Sequence, residues 1–295
     1  MKLFRRLLSL VLILTIMLSA VSCGEKNNVD SGKNEKSNSY SVTVLNPLGR
    51  PISDVTVYVH RDGGDDYNIC TMPVSTDVNG KATFTLDPNY SYSVQLANVP
   101  AAYACLSGYT RFERYEFDTN DITVKLEPKD GYVPNMYSVG DPIANFTIYD
   151  IDGNRYEIYE LLKEKKAVVL NFWFYKCGPC QAEFPALNAA YLTYKDSVEV
   201  LAINDDSTET VEHVKSYESK KLGMNLDIPL FKTEYGSDAS LSHFPSTGYP
   251  TTVVIDSYGT ISLIHVGSVT SPAKWKDLFA HYTSESYDGT PFNFS

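Results

Sequence analysis

The most constraining feature of this chain is a pair of cysteines placed between an apolar run and a helical pattern. Residues 167–174 read AVVLNFWF, a nearly continuous apolar run that is typical of a strand buried on both faces. The stretch YKCGPCQAEFP follows, and a helix is predicted from about Pro179 to Lys195. Cys177 and Cys180 therefore lie where a buried strand ends and a helix begins. This arrangement indicates a strand–helix unit of a sheet covered by helices.

The same pattern extends over residues 143–286, in which predicted strands alternate with predicted helices. The predicted strands are ANFTIYD, RYEIYE, SVEVLAIN, IPLFK, TTVVID and ISLIHVG. The stretch STETVEHVKSYESKK is predicted to be a helix that begins at Ser207 or Thr208, and SPAKWKDLFAHY a helix capped by Ser271. This alternation predicts an α/β domain with a central sheet covered by helices.

Residues 40–127 have a different pattern and predict a separate domain. A chain of 295 residues suits two domains rather than one. The predicted strands YSVTVLN, VTVYVH, KATFTL, YSVQLA, RYEFD and ITVKLE alternate apolar and polar residues, and turn signals rich in glycine, proline and asparagine separate them. Several short strands at this spacing predict a small all-β sandwich. The pairing of VLNPLGRPISDVTVYV with STDVNGKATFTL, with its turn residues, resembles the carboxypeptidase-regulatory-like (transthyretin-like) β-sandwich, which implies a spacer or binding module.

Two further segments flank the α/β domain. Residues 128–142 are rich in proline, glycine and acidic residues and are predicted to link the two domains. Residues 287–295 are predicted to form a C-terminal tail. The formal net charge of the whole chain is −11, and an acidic surface repels phosphate backbones, so no nucleic acid is expected as a partner.

The N-terminus predicts export. Residues 1–22 combine a basic start, an apolar run and small residues, which is the pattern of a secretory signal peptide. The sequence AVSC that ends at Cys23 resembles the lipobox of bacterial lipoproteins, and this resemblance implies acylation of Cys23 and anchoring to the outer face of the bacterial cell membrane. The alternative is an ordinary secreted protein cut near Ser22, with Cys23 a free thiol. Residues 23–39 contain almost no apolar side chains and predict a flexible tether.

The position of the two cysteines favours redox chemistry over the other uses of this spacing. A thiol at a helix N-terminus faces unsatisfied N–H groups and the positive end of the helix dipole, which favour the thiolate that attacks disulfides. The first cysteine of such a pair is normally the exposed one, so Cys177 is the predicted nucleophile and Cys180 the resolving thiol. A zinc ribbon needs a second ligand pair, and none is present. Haem attachment needs a histidine after the second cysteine, where this chain has Gln181.

Three motifs together resemble the TlpA/ResA-like branch of extracytoplasmic thioredoxin-fold proteins. They are VGDPIANFTIYDIDGN, NFWFYKCGPCQAEFP and FPSTGYPTTVVIDSYGTISLIHVG, within residues 135–285. The resemblance implies a thioredoxin fold with a mixed sheet, and Cys177 and Cys180 match its redox pair. Pro250 matches the family's cis-proline, the one residue type at which a cis bond is cheap. The backbone of Tyr249 is then expected to pair with an extended substrate.

Glu183 matches an acidic residue of this branch, three positions after the second cysteine. Residues three apart on a helix share a face, so one interpretation is proton transfer to or from Cys180. The other interpretation is a solvated glutamate in the first turn, where the helix dipole favours an acid. Thioredoxin itself has a buried aspartate on the preceding strand. The matching residue here is Asn171, which cannot titrate.

The residues just before the redox pair depart from the family pattern. Most relatives have tryptophan directly before the first cysteine, whereas this chain has Lys176, whose charge is expected to favour the Cys177 thiolate. The alternative is a solvated loop lysine. Lys176, Trp173, Tyr249 and Pro250 are the predicted substrate-positioning residues.

The remaining cysteines, Cys70 and Cys105, fall in the predicted β-sandwich. An exported location permits a structural disulfide between them, although sequence cannot show that the two sites are within reach. No metal site and no cofactor other than the redox-active Cys177–Cys180 disulfide are predicted.

These observations together predict a lipid-anchored thiol-disulfide oxidoreductase that reduces disulfides of exported proteins. The resemblance implies recharging by a CcdA-like membrane thiol transporter. It also suggests targets such as apocytochrome c, oxidised surface proteins or methionine sulfoxide reductases. Two alternatives stay open: a thiol peroxidase of the AhpC/TSA type, and a non-enzymatic adhesion or solute-binding lipoprotein whose thioredoxin fold is a relic.

Overall fold

The structure is a computed structural model of the chain. It describes residues 38–61, 72–104, 115–116 and 119–294. The predicted signal peptide, Cys23 and the candidate pair Cys70 and Cys105 lie outside the described residues. In the described ranges, no helix combines the length and the apolar character that a membrane span requires.

The described residues of the N-terminal region form β-strands, and the two main sheets share one apolar core. Within the described residues its strands are β1 (Ser39–Leu45), β2 (Thr56–Arg61), β3 (Val74–Ser75), β4 (Lys81–Thr85), β5 (Tyr92–Ala97), β6 (Tyr103–Ala104), β7 (Tyr115–Glu116), β8 (Asp121–Lys125) and β9 (Glu127–Pro128). The sheet orders are β4-β1-β8 and β3-β2-β5-β7. Alternate residues of β1 and β2, such as Val42, Val44, Val57 and Val59, are fully buried in the shared core, as their alternating pattern predicts. Strand β1 begins at Ser39, the last residue of the predicted tether.

The second region has the predicted thioredoxin fold. Its strands are β10 (Thr147–Tyr149), β11 (Arg155–Glu157), β12 (Ala167–Trp173), β13 (Val198–Asn204), β14 (Leu230–Lys232), β15 (Thr251–Asp256) and β16 (Ile261–Val266). Its α-helices are α1 (Ile158–Glu164), α2 (Gly178–Tyr194), α3 (Val211–Lys215) and α4 (Pro272–Thr283). The central sheet has the order β14-β13-β12-β15-β16, with β12, β13 and β14 parallel and β15 and β16 antiparallel.

Helices cover both faces of this central sheet. Strands β12 and β13 are buried along their whole length, because alternate residues face two different cores. One core contains Phe184 and Leu187 of α2 together with Trp275 of α4. The other contains Ile158 and Leu162 of α1. The predicted α/β class with a central mixed sheet is therefore confirmed.

Two predicted elements, one strand and one helix, differ from the structure. The stretch RYEIYE was predicted as a strand, but α1 begins at Ile158, whose side chain packs under the sheet. The helix predicted to begin at Ser207 or Thr208 begins at Val211 instead. The Asp206 carboxylate accepts the N–H of Thr208 and holds a turn there, and the Thr210 hydroxyl caps α3 by accepting the N–H of His213.

The predicted linker, residues 128–142, begins at the end of β9, which pairs with β6, and then packs against the second region. Tyr137 is fully buried, donates its backbone N–H to the His243 carbonyl at 2.8 Å and stacks on Phe244 with ring centroids 5.0 Å apart. Its hydroxyl oxygen accepts the N–H of Ala144. Tyr137 therefore attaches this mostly polar segment to the second region.

A second contact between the two regions lies at the end of β15. The Asn46 amide, from the turn after β1, donates to the Tyr258 carbonyl at 2.7 Å. The Arg50 guanidinium lies 4.2 Å above the Tyr258 ring and 3.8 Å from the Asp256 carboxylate. Ala167 at the start of β12 pairs with Asp256, so this contact lies at the opposite end of the sheet from Trp173. Asn46 and Arg50 of the N-terminal region therefore contact the end of the sheet that is opposite to the cysteines.

Candidate active site

Cys177 and Cys180 form a disulfide at the N-terminus of α2. The sulfur atoms are bonded and the Cα atoms are 5.2 Å apart. Cys177 is the N-cap residue of α2, and its sulfur accepts the backbone N–H of Cys180 at 3.1 Å. Pro179 follows in the first turn, where its missing N–H costs nothing. The sulfur of Cys177 thus lies among the free N–H groups of the helix, where a thiolate is stabilised.

Exposure does not distinguish the two cysteines in this oxidised form. Cys177 is 3% exposed and Cys180 is 1% exposed, so the expectation of an exposed first cysteine is not met. The rings of Phe174, Tyr175 and Tyr249 pack against the apolar cluster that contains both sulfurs, and they reduce the accessible surface. The case for Cys177 as the nucleophile therefore rests on its N-cap position.

Glu183 is a buried carboxyl on the same helix, one turn after Cys180. Only 1% of the residue is exposed, which excludes the solvated interpretation. One carboxylate oxygen accepts the Asn171 amide at 2.8 Å, and the other accepts the backbone N–H of Val269 at 2.6 Å. Burial raises the pKa of Glu183 to about 7, although the two hydrogen bonds favour the ionised form. A carboxyl with this pKa can both accept and release a proton near neutral pH.

The peptide bond between Tyr249 and Pro250 is cis, as the resemblance implied. The Tyr249 hydroxyl donates to the Asp205 carboxylate at 2.9 Å, and its ring meets the Phe174 ring edge-to-face at 5.2 Å. Asp205 is buried and also accepts the Ser240 hydroxyl and the N–H of Leu241. The side chain before the cis-proline is therefore held in one orientation.

Comparisons with known proteins match the region that contains this site. Residues 139–264 match the model of the AhpC/TSA family. The thiol-disulfide oxidoreductase ResA of Halalkalibacterium halodurans is 33% identical over 138 residues, which cover 46% of this chain and 73% of the relative. The thioredoxin-like protein YneN of Bacillus subtilis is 30% identical over 132 residues, which cover 44% of this chain and 73% of the relative.

The chain belongs to the ResA-like thiol-disulfide oxidoreductases. Its enzymatic activity is accordingly thiol-disulfide exchange. A solved structure from Chlorobium tepidum, a thiol:disulfide interchange protein of the thioredoxin family, is 26% identical. The match covers 48% of this chain and 94% of the Chlorobium tepidum chain, with a TM-score of 0.38.

Two of the predicted substrate-positioning residues differ in their placement within this ResA-like site. Lys176 is exposed directly before Cys177. Trp173 is fully buried, and its ring packs on Tyr217 at 4.3 Å and on Phe184 at 5.4 Å. Its assignment as a substrate-positioning residue is therefore wrong: alternation along β12 directs this last side chain into the core beneath the loop. Trp173 supports the site from within the core.

Sequence reasoning missed several residues of the ResA-like site. Asn171 was noted as unable to titrate, but its hydrogen bond to Glu183 was not predicted. The Val269 N–H, Asp205 and Glu209 were also missed. One signal was available for the two acids: they follow β13, whose carboxyl end lies beside that of β12, so their loop falls next to the cysteines. In the described part of the chain, His, Cys, Asp and Glu side chains form no group of three or more that could hold a metal ion.

Proposed function

We propose that this ResA-like enzyme acts as a disulfide reductase for exported proteins, through the Cys177–Cys180 couple. In the reduced enzyme the Cys177 thiolate attacks one sulfur of a partner disulfide, and the other partner sulfur leaves as a thiolate. Cys180 then attacks the Cys177 sulfur of the mixed disulfide. The Cys177–Cys180 disulfide forms, and the partner leaves with both sulfurs reduced. The partner gains two electrons and the enzyme loses them.

The observation that carries this proposal is the buried Glu183 on the same helix as the disulfide. Cys180 must lose a proton to attack, and it is 1% exposed, so bulk water is a poor acceptor for that proton. Glu183 lies one helical turn on from Cys180 and has a pKa of about 7. It can take the proton from Cys180 and return it in the next cycle. Tyr249 and Pro250 would hold an extended segment of the partner by strand pairing.

The setting of the reaction is part of the same proposal. The lipobox at Cys23 would anchor the enzyme to the outer face of the cell membrane, with residues 23–39 as the tether. The domain beyond it, residues 40–127, would act as a spacer, and its candidate disulfide Cys70–Cys105 would be permitted in that compartment. A CcdA-like membrane thiol transporter would restore the reduced couple, and no cofactor would be needed.

A trapping experiment tests the proposed direction and identifies the partners. Cys180→Ser leaves Cys177 able to attack but removes the resolving thiol, so mixed disulfides should accumulate in the host and be released by dithiothreitol. Cys177→Ser is the matched control and should trap nothing. Discrete adducts would support the reductase. No adducts, together with no dithiol-dependent reduction of insulin by the unaltered protein, would contradict it.

A thiol peroxidase is the second candidate, because the AhpC/TSA family model matches residues 139–264. In that case the reduced protein should consume hydrogen peroxide at a rate that Cys177→Ser abolishes. We expect peroxide consumption to be slow beside insulin reduction, since a closely spaced pair is suited to exchange between disulfides.

A further inference from the structure

The loop between β13 and α3, residues 205–210, carries a carboxylate that the exchange reaction does not use. Both oxygens of Glu209 accept the backbone N–H of Tyr175, at 3.0 and 2.9 Å. One of them also accepts the Asn204 amide at 2.6 Å. Tyr175 is two residues before Cys177, in the short segment that joins β12 to α2. Glu209 therefore holds the backbone segment that leads from β12 to Cys177.

The position of this N–H explains why a side chain must supply its acceptor. The pairing of β12 with β13 ends at Trp173 and Asn204, so Tyr175 lies beyond the ladder. A backbone N–H that lacks a partner away from water costs free energy, and a carboxylate forms the stronger, charge-assisted kind of hydrogen bond. The Tyr175 ring is held as well, since the Lys221 ammonium lies 5.3 Å from its centroid.

The surroundings of Glu209 make its contribution hard to replace. Three buried polar atoms near it have no hydrogen-bond partner among the described residues: Trp173 Nε1, Tyr217 Oη and Asn204 Oδ1. The Trp173 and Tyr217 rings are in contact, and Asn204 is the neighbour of Trp173 in the sheet. Removal of the carboxylate would add the Tyr175 N–H and the Asn204 amide to these unpaired groups, at a cost for each.

We propose that Glu209 is a positioning residue of the redox site, which holds the 174–176 segment so that the Cys177 sulfur stays at the N-terminus of α2. This role rests on the proposed exchange reaction, in which Cys177 attacks as a thiolate. It assigns Glu209 no contact with the partner and no proton transfer. Its effect passes through the Tyr175 backbone to Cys177.

Two substitutions separate positioning from the effect of a nearby charge. Glu209→Ala removes every acceptor, whereas Glu209→Gln keeps one oxygen and removes the charge. Glu212→Gln, an exposed glutamate three residues on, is the matched control. We expect Glu209→Ala to slow insulin reduction on the order of tenfold, Glu209→Gln to slow it less, and the control to have no effect.

The pH profile of Cys177 alkylation in the reduced protein gives the deciding readout. Loss of positioning takes the thiolate away from the helix N–H groups, so Glu209→Ala should raise the pKa of the Cys177 thiol above its value in the unaltered protein. Loss of charge alone would lower that pKa in both variants, because removal of a neighbouring negative charge favours the thiolate.

Several results would overturn the proposal: a lower pKa in both variants, or a profile and rate that match the Glu212→Gln control. Glu209→Gln keeps the test informative if Glu209→Ala does not fold. The alkylation profile needs no partner protein. If the unaltered protein reduces no insulin, the proposed function fails, while alkylation still decides the role of Glu209.

Discussion

The central sheet has a buried carboxyl near each of its two ends, and the two carboxyls are satisfied in different ways. Near the cysteines, Glu183 accepts hydrogen bonds from two neutral donors, the Asn171 amide and the Val269 N–H. At the opposite end, Asp256 accepts the N–H groups of Tyr258 and Thr260 and the Tyr287 hydroxyl. Asp256 also lies 3.8 Å from the Arg50 guanidinium.

This difference in hydrogen-bond donors makes Glu183 suited to proton transfer and Asp256 suited to a structural role. Burial raises the pKa of both carboxyls, since the charged form loses its hydration. At Asp256, three donors and a cation oppose that rise and stabilise the charge. Glu183 has less to oppose it, and its pKa reaches about 7. Burial alone therefore does not indicate function: the number and charge of the donors distinguish the two ends.

The largest expected effect is kinetic and comes from the Glu183 end. Glu183→Gln removes the titrating proton and keeps the shape of the side chain, so the rate of insulin reduction should fall about 100-fold, the lower part of the range for general acid–base catalysis. Glu199→Gln is the control, because Glu199 is also a buried glutamate but lies on β13 far from the cysteines. Equal rates for the two variants across the pH range would contradict a proton-transfer role for Glu183.

The second prediction concerns stability and pH, measured on the oxidised protein so that the cysteines do not titrate. A carboxyl with a pKa of 4.5 when unfolded and about 7 when folded binds more protons in the folded state. Its contribution is fully present below pH 4.5 and is lost as pH rises through 7. Urea denaturation should show that the unaltered protein loses about 3 kcal/mol more than Glu183→Gln over this window. A parallel pH dependence in both proteins would mean that Glu183 titrates normally.

The sequence predicted the cysteine pair near Glu183 but did not predict the burial of Glu183, for a physical reason. The redox pair and strand β15 follow from local signals, a buried run and flanking turns, whereas the cis-proline was implied by the family resemblance. The two interpretations of Glu183 could not be separated, because its burial depends on Asn171 from β12 and on Val269, which is 86 residues away. The burial of Trp173 and the Glu209 contact likewise depend on how distant elements pack together.

The third prediction tests the Asp256 end. Arg50→Met keeps an apolar stem over the Tyr258 ring but removes the cation, and should lower the free energy of unfolding by about 1 to 2 kcal/mol. The deficit should grow as pH rises, because the charged form of Asp256 then lacks its counter-ion. Arg50→Lys is the control that keeps a charge. The rate of insulin reduction should be unchanged, and a slower rate would show that the two ends of the sheet are coupled.

The smallest expected effect comes from Lys176, an exposed cation beside the redox pair. Its charge favours the Cys177 thiolate through solvent, where salt screens the interaction: the screening length is about 10 Å at 0.1 M salt and about 3 Å at 1 M. Lys176→Gln should therefore slow insulin reduction by about twofold to threefold at low salt, with little difference left at 1 M.

Lys276→Gln, which removes an exposed charge on α4, is the control for net charge. A salt-independent loss in Lys176→Gln would contradict the electrostatic role and would mean that the lysine contacts the partner directly. The same salt series applied to Arg50→Met should leave its stability deficit largely intact, because the Asp256 carboxylate that Arg50 neutralises is buried. Burial of the partner group, more than proximity, thus decides which cation of this protein matters at high salt.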